Sequence, residues 1–126
     1  MPDAVIVDAV RTPIGRAFKG SLAPLRPDNT GAFIVDQLLE RNPGVDPALV
    51  EEVIAGCGLP QGRQAFNIGR LIALLSEKLP QEVNGSTVSR YCASGLDPAL
   101  VEEVITGCGL PQGKQAFNVG RLIALL

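Results

Sequence analysis

The chain has 126 residues, 46% of them apolar, a formal net charge of -2 and no histidine. This is enough for one small domain with a core, and the charge offers nothing to nucleic acid or to an anionic membrane surface. No apolar run is long enough to span a bilayer. Met1–Val5 lacks the basic and apolar regions of a secretory signal, so a cytoplasmic location is expected.

The three cysteines are Cys57, Cys92 and Cys108. An odd, sparse set argues against a disulfide framework. A zinc site usually draws four Cys/His ligands, so no metal is expected. The usual base for a Cys or Ser nucleophile is missing with histidine.

In chain order, Ala4–Val10 is an apolar run typical of a strand buried on both faces. Pro13 and Gly15 end it, and a loop to Pro27 carries Arg16, Lys19 and Arg26. These cations are read as solvated loop charges rather than as an anion site. Asp28, Asn29 and Thr30 offer N-cap side chains, and Ala32, Val35, Leu38 and Leu39 share a helical face. A helix is predicted near 29–41, stopped by Asn42-Pro43-Gly44.

Asp46-Pro47 is a second helix start, with Asp as cap and Pro at the first position. The stretch from Leu49 to Gly56 reads either as a short helix or as one helical turn feeding a strand, because periodicity alone does not separate them. Gly56–Gly62 is a loop by composition. A second helix is predicted near 65–78, with Phe66, Ile68, Leu71, Ile72, Leu74 and Leu75 as its apolar positions. A strand near 83–91 comes next and stops at Cys92, just before Ala93-Ser94-Gly95.

The sequence then repeats itself. Gly44–Leu75 returns as Gly95–Leu126, offset by 51 positions, and differs only at Val45/Leu96, Ala55/Thr106, Arg63/Lys114 and Ile68/Val119. Two near-identical copies separated by unrelated sequence are not a solenoid. An in-frame duplication, or a splice between near-identical stretches, is the simplest origin. The organisation is read as an α/β segment over residues 1–96 followed by a repeat of 46–75 over residues 97–126. The copy predicts a further strand near 102–108 and a helix near 116–126. Two copies of one strand are expected to compete for one slot in the sheet, with the second docking poorly.

Most motifs favour a structural reading. Gly56-x-Gly58-x-x-x-Gly62 departs from dinucleotide spacing, and Pro60 interrupts it. The adjacent carboxylates Glu51-Glu52 and Glu102-Glu103 point apart on either a strand or a helix, so they read as solvated pairs. Cys57 and Cys108 are one position in two copies and read as packing residues.

Cys92 stands apart. Val88-Ser89-Arg90-Tyr91-Cys92-Ala93-Ser94-Gly95-Leu96 resembles the nucleophile motif of the thiolases, the acetyl-CoA C-acyltransferase family. Val7–Gly15 looks like the opening strand and turn of that family. Glu52–Cys57 looks like its second strand, which favours strand over helix there, and Gln64–Arg70 like the start of its next helix. The resemblance runs from Met1 to about Asp97.

It implies a thiolase-like N-terminal α/β core, a small and mainly parallel sheet packed by helices, here incomplete. It also implies a cysteine, Cys92, that takes an acyl group from a CoA thioester, with no tightly bound cofactor and with coenzyme A as carrier. Acyl-CoA would be the small-molecule partner. Self-association, or pairing with thiolase subunits, is expected of the apolar surface left by the missing parts.

The family's Gly-His-Pro histidine, its Cys-x-Gly cysteine and its Asn-Glu segment do not occur in this sequence, so a full catalytic cycle by this chain alone is not expected. A non-enzymatic interaction module is the alternative, and a thiol-based redox or binding module a third reading. The family's nucleophile opens a long helix. Here Asp97-Pro98 sets a helix start about five residues later, which predicts Cys92 in a loop away from a helix dipole.

Overall fold

The computed structural model describes residues 5–94 and 105–107. Its centre is a parallel sheet of three strands, β1 (Glu52–Gly56), β2 (Asn84–Val88) and β3 (Ile105–Gly107), in the order β2-β1-β3. Two helices, α1 (Pro27–Arg41) and α2 (Ile68–Leu75), accompany it. The α/β class and the parallel sheet are as the sequence predicts.

β1 forms because Val53, Ala55 and Cys57 alternate towards the helices while Ile54 faces the other way, and all four are buried. Burial on both faces is what a continuous apolar strand in a parallel sheet requires. The short-helix alternative gives way to a helical turn feeding a strand. Asp46 accepts a hydrogen bond from the Ala48 amide at 2.9 Å, capping a 3-10 turn over Pro47–Leu49 before β1 begins.

The core joins Val35 of α1, Val53 and Ala55 of β1, and Ile68, Ile72 and Ala73 of α2, with Leu79 and Val83 beyond them. Ile68 and Ile72 are fully buried. Each contributes about 2–3 kcal/mol by leaving water. α2 lies directly on β2 through a glycine pair. A Cβ on Gly69 would meet the Ser86 carbonyl carbon at 2.7 Å, and one on Gly85 would meet the Gly69 carbonyl carbon at 2.5 Å. Polar contacts fix the same interface. Asn67 caps α2 by accepting from the Arg70 amide at 3.2 Å, donates to the Gly85 carbonyl at 2.6 Å, and accepts from the Thr87 hydroxyl at 2.8 Å. The Arg70 guanidinium donates to the carbonyls of Gln81 and Val83.

Several sequence expectations are corrected. The strand expected over 4–10 is absent from 5–10, which makes no ladder. A strand needs a neighbour to satisfy its backbone, and both edges of β1 are already taken by β2 and β3. Val5, Ile6 and Val7 are 78%, 75% and 65% exposed as a result. Asp8 instead anchors the segment to the end of α1, accepting from Arg41 at 2.9 Å and from Asn42 at 3.0 Å.

α1 begins two residues earlier than expected, with Pro27 in its first turn and Arg26 as the capping residue. Asp28 is therefore inside the helix, where its buried carboxylate pairs with the Arg26 guanidinium. α2 is shorter than 65–78. Phe66 has φ +65°, outside helical space, and at the other end Ser76 and the Glu77 amide donate to the Asp36 carboxylate. Phe66, Leu74 and Leu75 are consequently exposed rather than part of the core.

The repeated strands do not compete with each other for one slot. They pair side by side, Ile54 with Ile105, Ala55 with Thr106 and Gly56 with Gly107, each residue against its own copy. The helix expected over 116–126 and the copied cysteine Cys108 lie outside the described residues.

Candidate functional site

Cys92 lies just beyond the C-terminal end of β2, on a 3-10 turn formed by Tyr91–Ala93. Its side chain is exposed, whereas Cys57 at the end of β1 is fully buried. The Cys57 amide donates to the Val88 carbonyl at 2.9 Å, so the two strand ends, and the loops leaving them, run side by side. Ligands of open parallel sheets meet the strands at this end.

Three residues set the turn. Tyr91 has φ +51°, a left-handed conformation that costs a side-chain-bearing residue roughly 1–3 kcal/mol. Ser94 is completely buried and closes the turn from inside. Its hydroxyl accepts from the Arg90 amide at 2.7 Å and donates to the Tyr91 carbonyl at 2.7 Å, while its amide donates to that same carbonyl at 3.2 Å. Gly58 completes the support, since a Cβ there would lie 2.9 Å from the Tyr91 carbonyl oxygen. The loop after β1 can therefore lie flat beneath the cysteine turn only if it carries glycine at 58. Gln64 holds that loop by donating to the Leu59 carbonyl at 2.6 Å.

The arrangement leaves Cys92 outward-facing on a backbone held by its neighbours. The expectation that it sits in a turn rather than on an α-helix agrees with the three-residue 3-10 segment; the helix start at Asp97-Pro98 falls outside the described residues. Burial pushes the Cys57 thiol above its ordinary range, opposed by a backbone hydrogen bond at Leu59. That suits the packing role read from the sequence.

Neither the cation loop nor the carboxylate pair gathers at this site. Arg26 pairs with Asp28, Arg16 and Lys19 are exposed, and Glu51 points to solvent before β1 begins. No group of three or more potential metal ligands occurs among the described residues. A shallow depression of about 400 Å³, bordered by Val50, Glu51, Glu82 and Asn84, lies at the opposite, N-terminal end of the strands. No helix among the described residues is long and apolar enough to cross a membrane. The sequence pointed to Cys92 but not to the roles of Ser94, Gly58 or the Tyr91 backbone. The only signals were the small residues after the cysteine and the Gly-Cys-Gly triplet after β1.

Comparison with known proteins agrees with this geometry. The model of the thiolase N-terminal domain matches residues 4–104. A β-ketoadipyl-CoA thiolase from Acinetobacter baylyi is 50% identical over 97 residues, which is 77% of this chain and 24% of that protein. One from Pseudomonas aeruginosa is 48% identical over 107 residues, covering 85% and 26% respectively. A 3-ketoacyl-CoA thiolase from Bacillus subtilis is 46% identical over 96 residues, covering 76% and 24%. The chain thus spans about a quarter of the length of these relatives. With a family match across most of its residues, on a parallel sheet that ends in an exposed cysteine, the chain belongs to the thiolase family through that family's N-terminal domain.

Proposed function

We propose that this chain carries the acyl-accepting half of thiolase chemistry, with Cys92 as nucleophile. The observation that carries the reading is the exposed Cys92 on a turn clamped by buried Ser94, within the stretch matched by the thiolase N-terminal domain. The Cys92 thiolate attacks the carbonyl carbon of an acyl-CoA thioester. Its electron pair forms the new C–S bond, and the carbonyl oxygen takes up negative charge. Collapse of that intermediate breaks the old C–S bond and releases coenzyme A as its thiolate, which then takes a proton from solvent. Thiolate is both a good nucleophile and a good leaving group, so one difficult exchange becomes two easier ones. Backbone N–H groups beside the nucleophile are the donors available to the oxyanion.

Coenzyme A acts here as carrier within the substrate, with no tightly held cofactor. The chain has no histidine to act as base, so the second half of the cycle needs groups supplied from elsewhere. A reducing, cytoplasmic setting keeps Cys92 free for this role.

The test is acylation itself. The folded chain is incubated with acetyl-CoA at neutral pH and quenched in acid, and the intact mass and the Cys92 peptide are read. An acetyl group on Cys92 that is missing from Cys92→Ser supports the proposal. A folded chain with no adduct, or with equal labelling of all three cysteines, removes it.

A further inference from the structure

β1, α2 and β2 form one strand–helix–strand unit whose two strands are parallel neighbours. Parallel strands linked through a helix normally lie side by side, with a crossover of one hand. Residues 5–10, α1 and β1 come in the same order along the chain. By the same rule, the natural place for the Val5–Val10 run is the outer edge of β1, the edge not used by β2. That edge is held by β3.

Two further observations bear on this edge. Among the described residues, β2 pairs with all five residues of β1 and β3 with three of them. The Val5–Val10 run has the apolar content of a strand buried in a parallel sheet, yet its first three residues are largely exposed. It is also held within reach, because Asp8 is hydrogen-bonded to Arg41 and Asn42, at and just beyond the end of the helix that leads into β1.

We propose that the outer edge of β1 is a single slot for which residues 5–10 and 105–107 compete, so that this chain has two alternative sheets. One sheet has β3 in the slot and the N-terminal run outside. The other has the N-terminal run in the slot and the copied strand released. The switch rests on backbone pairing and on the duplicated sequence, independently of any acyl chemistry at Cys92.

The test is hydrogen exchange read by mass spectrometry on the full chain. Thr106→Pro removes a backbone donor from the centre of β3 and so disfavours it as a strand. The expected result is exchange slowed about tenfold or more at the amides of Ile6, Val7 and Asp8, with β1 still protected. Unchanged exchange at those amides, with β1 losing protection, overturns the proposal.

Val7→Pro in the otherwise unmodified chain is the second arm, and it leaves β3 untouched. Competition predicts that it abolishes residual protection at Ile6 and Asp8. If exchange there is the same with and without Val7→Pro, the two-sheet proposal fails, even where the first variant has lost its fold.

Discussion

Replacing Gly69 with alanine sets two effects of opposite sign against each other. Gly69 is the second residue of α2, where alanine is better than glycine by at most the helix-interior preference of about 1 kcal/mol. Taken alone, that term predicts stabilisation. Packing opposes it. The added Cβ would lie 2.7 Å from the Ser86 carbonyl carbon and 2.9 Å from the Ser86 amide nitrogen. Both are backbone atoms of β2, so no side chain can rotate away, and relief requires α2 to lift from the strand. Overpacking of this kind costs typically 1–3 kcal/mol, and a clash with backbone belongs at the upper end. Lifting α2 also loosens fully buried Ile68 and Ile72, which puts the total opposing term at about 3–4 kcal/mol. The net expectation is destabilisation by about 2–3 kcal/mol. Urea unfolding followed by circular dichroism reads it as a lowered midpoint with little change in slope. Gly44→Ala is the control, because nothing lies within 4 Å of a Cβ there. If Gly69→Ala were as stable as the parent or more so, the close helix–strand contact would be wrong.

Asn67→Ala removes the α2 cap together with its contacts to Gly85 and Thr87, and urea unfolding is expected to show a loss of about 1–3 kcal/mol. The Asp28 carboxyl is held below its ordinary range, first by the hydrogen bond from Arg26 and against the opposing effect of burial. A depressed folded value means that this contribution is fully present above the unfolded carboxylate range, near pH 4, and is lost as pH falls through the folded value. Asp28→Asn should therefore flatten the acid limb of a stability–pH profile, and an unchanged acid limb would refute the assignment. Brief iodoacetamide treatment of the folded chain should label Cys92 ahead of Cys57, because one is exposed and the other buried; peptide mapping with the order reversed would contradict the site.

Much of the architecture was legible from local pattern. Asp46-Pro47 signals a turn, the apolar residues after Glu52 signal a buried strand, and Asn67 and Ser76 bound α2 once the polar contacts at its ends are known. Val5–Val10 shows where local pattern stops. Its composition states that it suits burial in a sheet, but whether an edge is available depends on a strand about a hundred residues away. The same limit applies at the site. The motif around Cys92 marks the residue proposed as nucleophile, while the left-handed Tyr91 backbone and the flat Gly58 loop arise only where the ends of β1 and β2 meet. Phe66 fits a helical face by spacing, although its backbone turns the other way.

The polar and glycine contacts between α2 and β2 have a consequence for the order in which the molecule opens. Asn67, Arg70 and the Gly69–Gly85 approach join the first turn of α2 to β2 and to the residues leading into it, and the β1–β2 ladder closes the same unit. Segments so joined exchange and unfold as one cooperative block, whereas a run such as Val5–Val10, which makes no ladder, opens at little cost. Among the described residues, limited proteolysis would therefore cut the leading run before the stretch from Asp46 to Ser94. Cys92 hangs from the end of this late-opening block, so its placement would outlast the loss of much that precedes it.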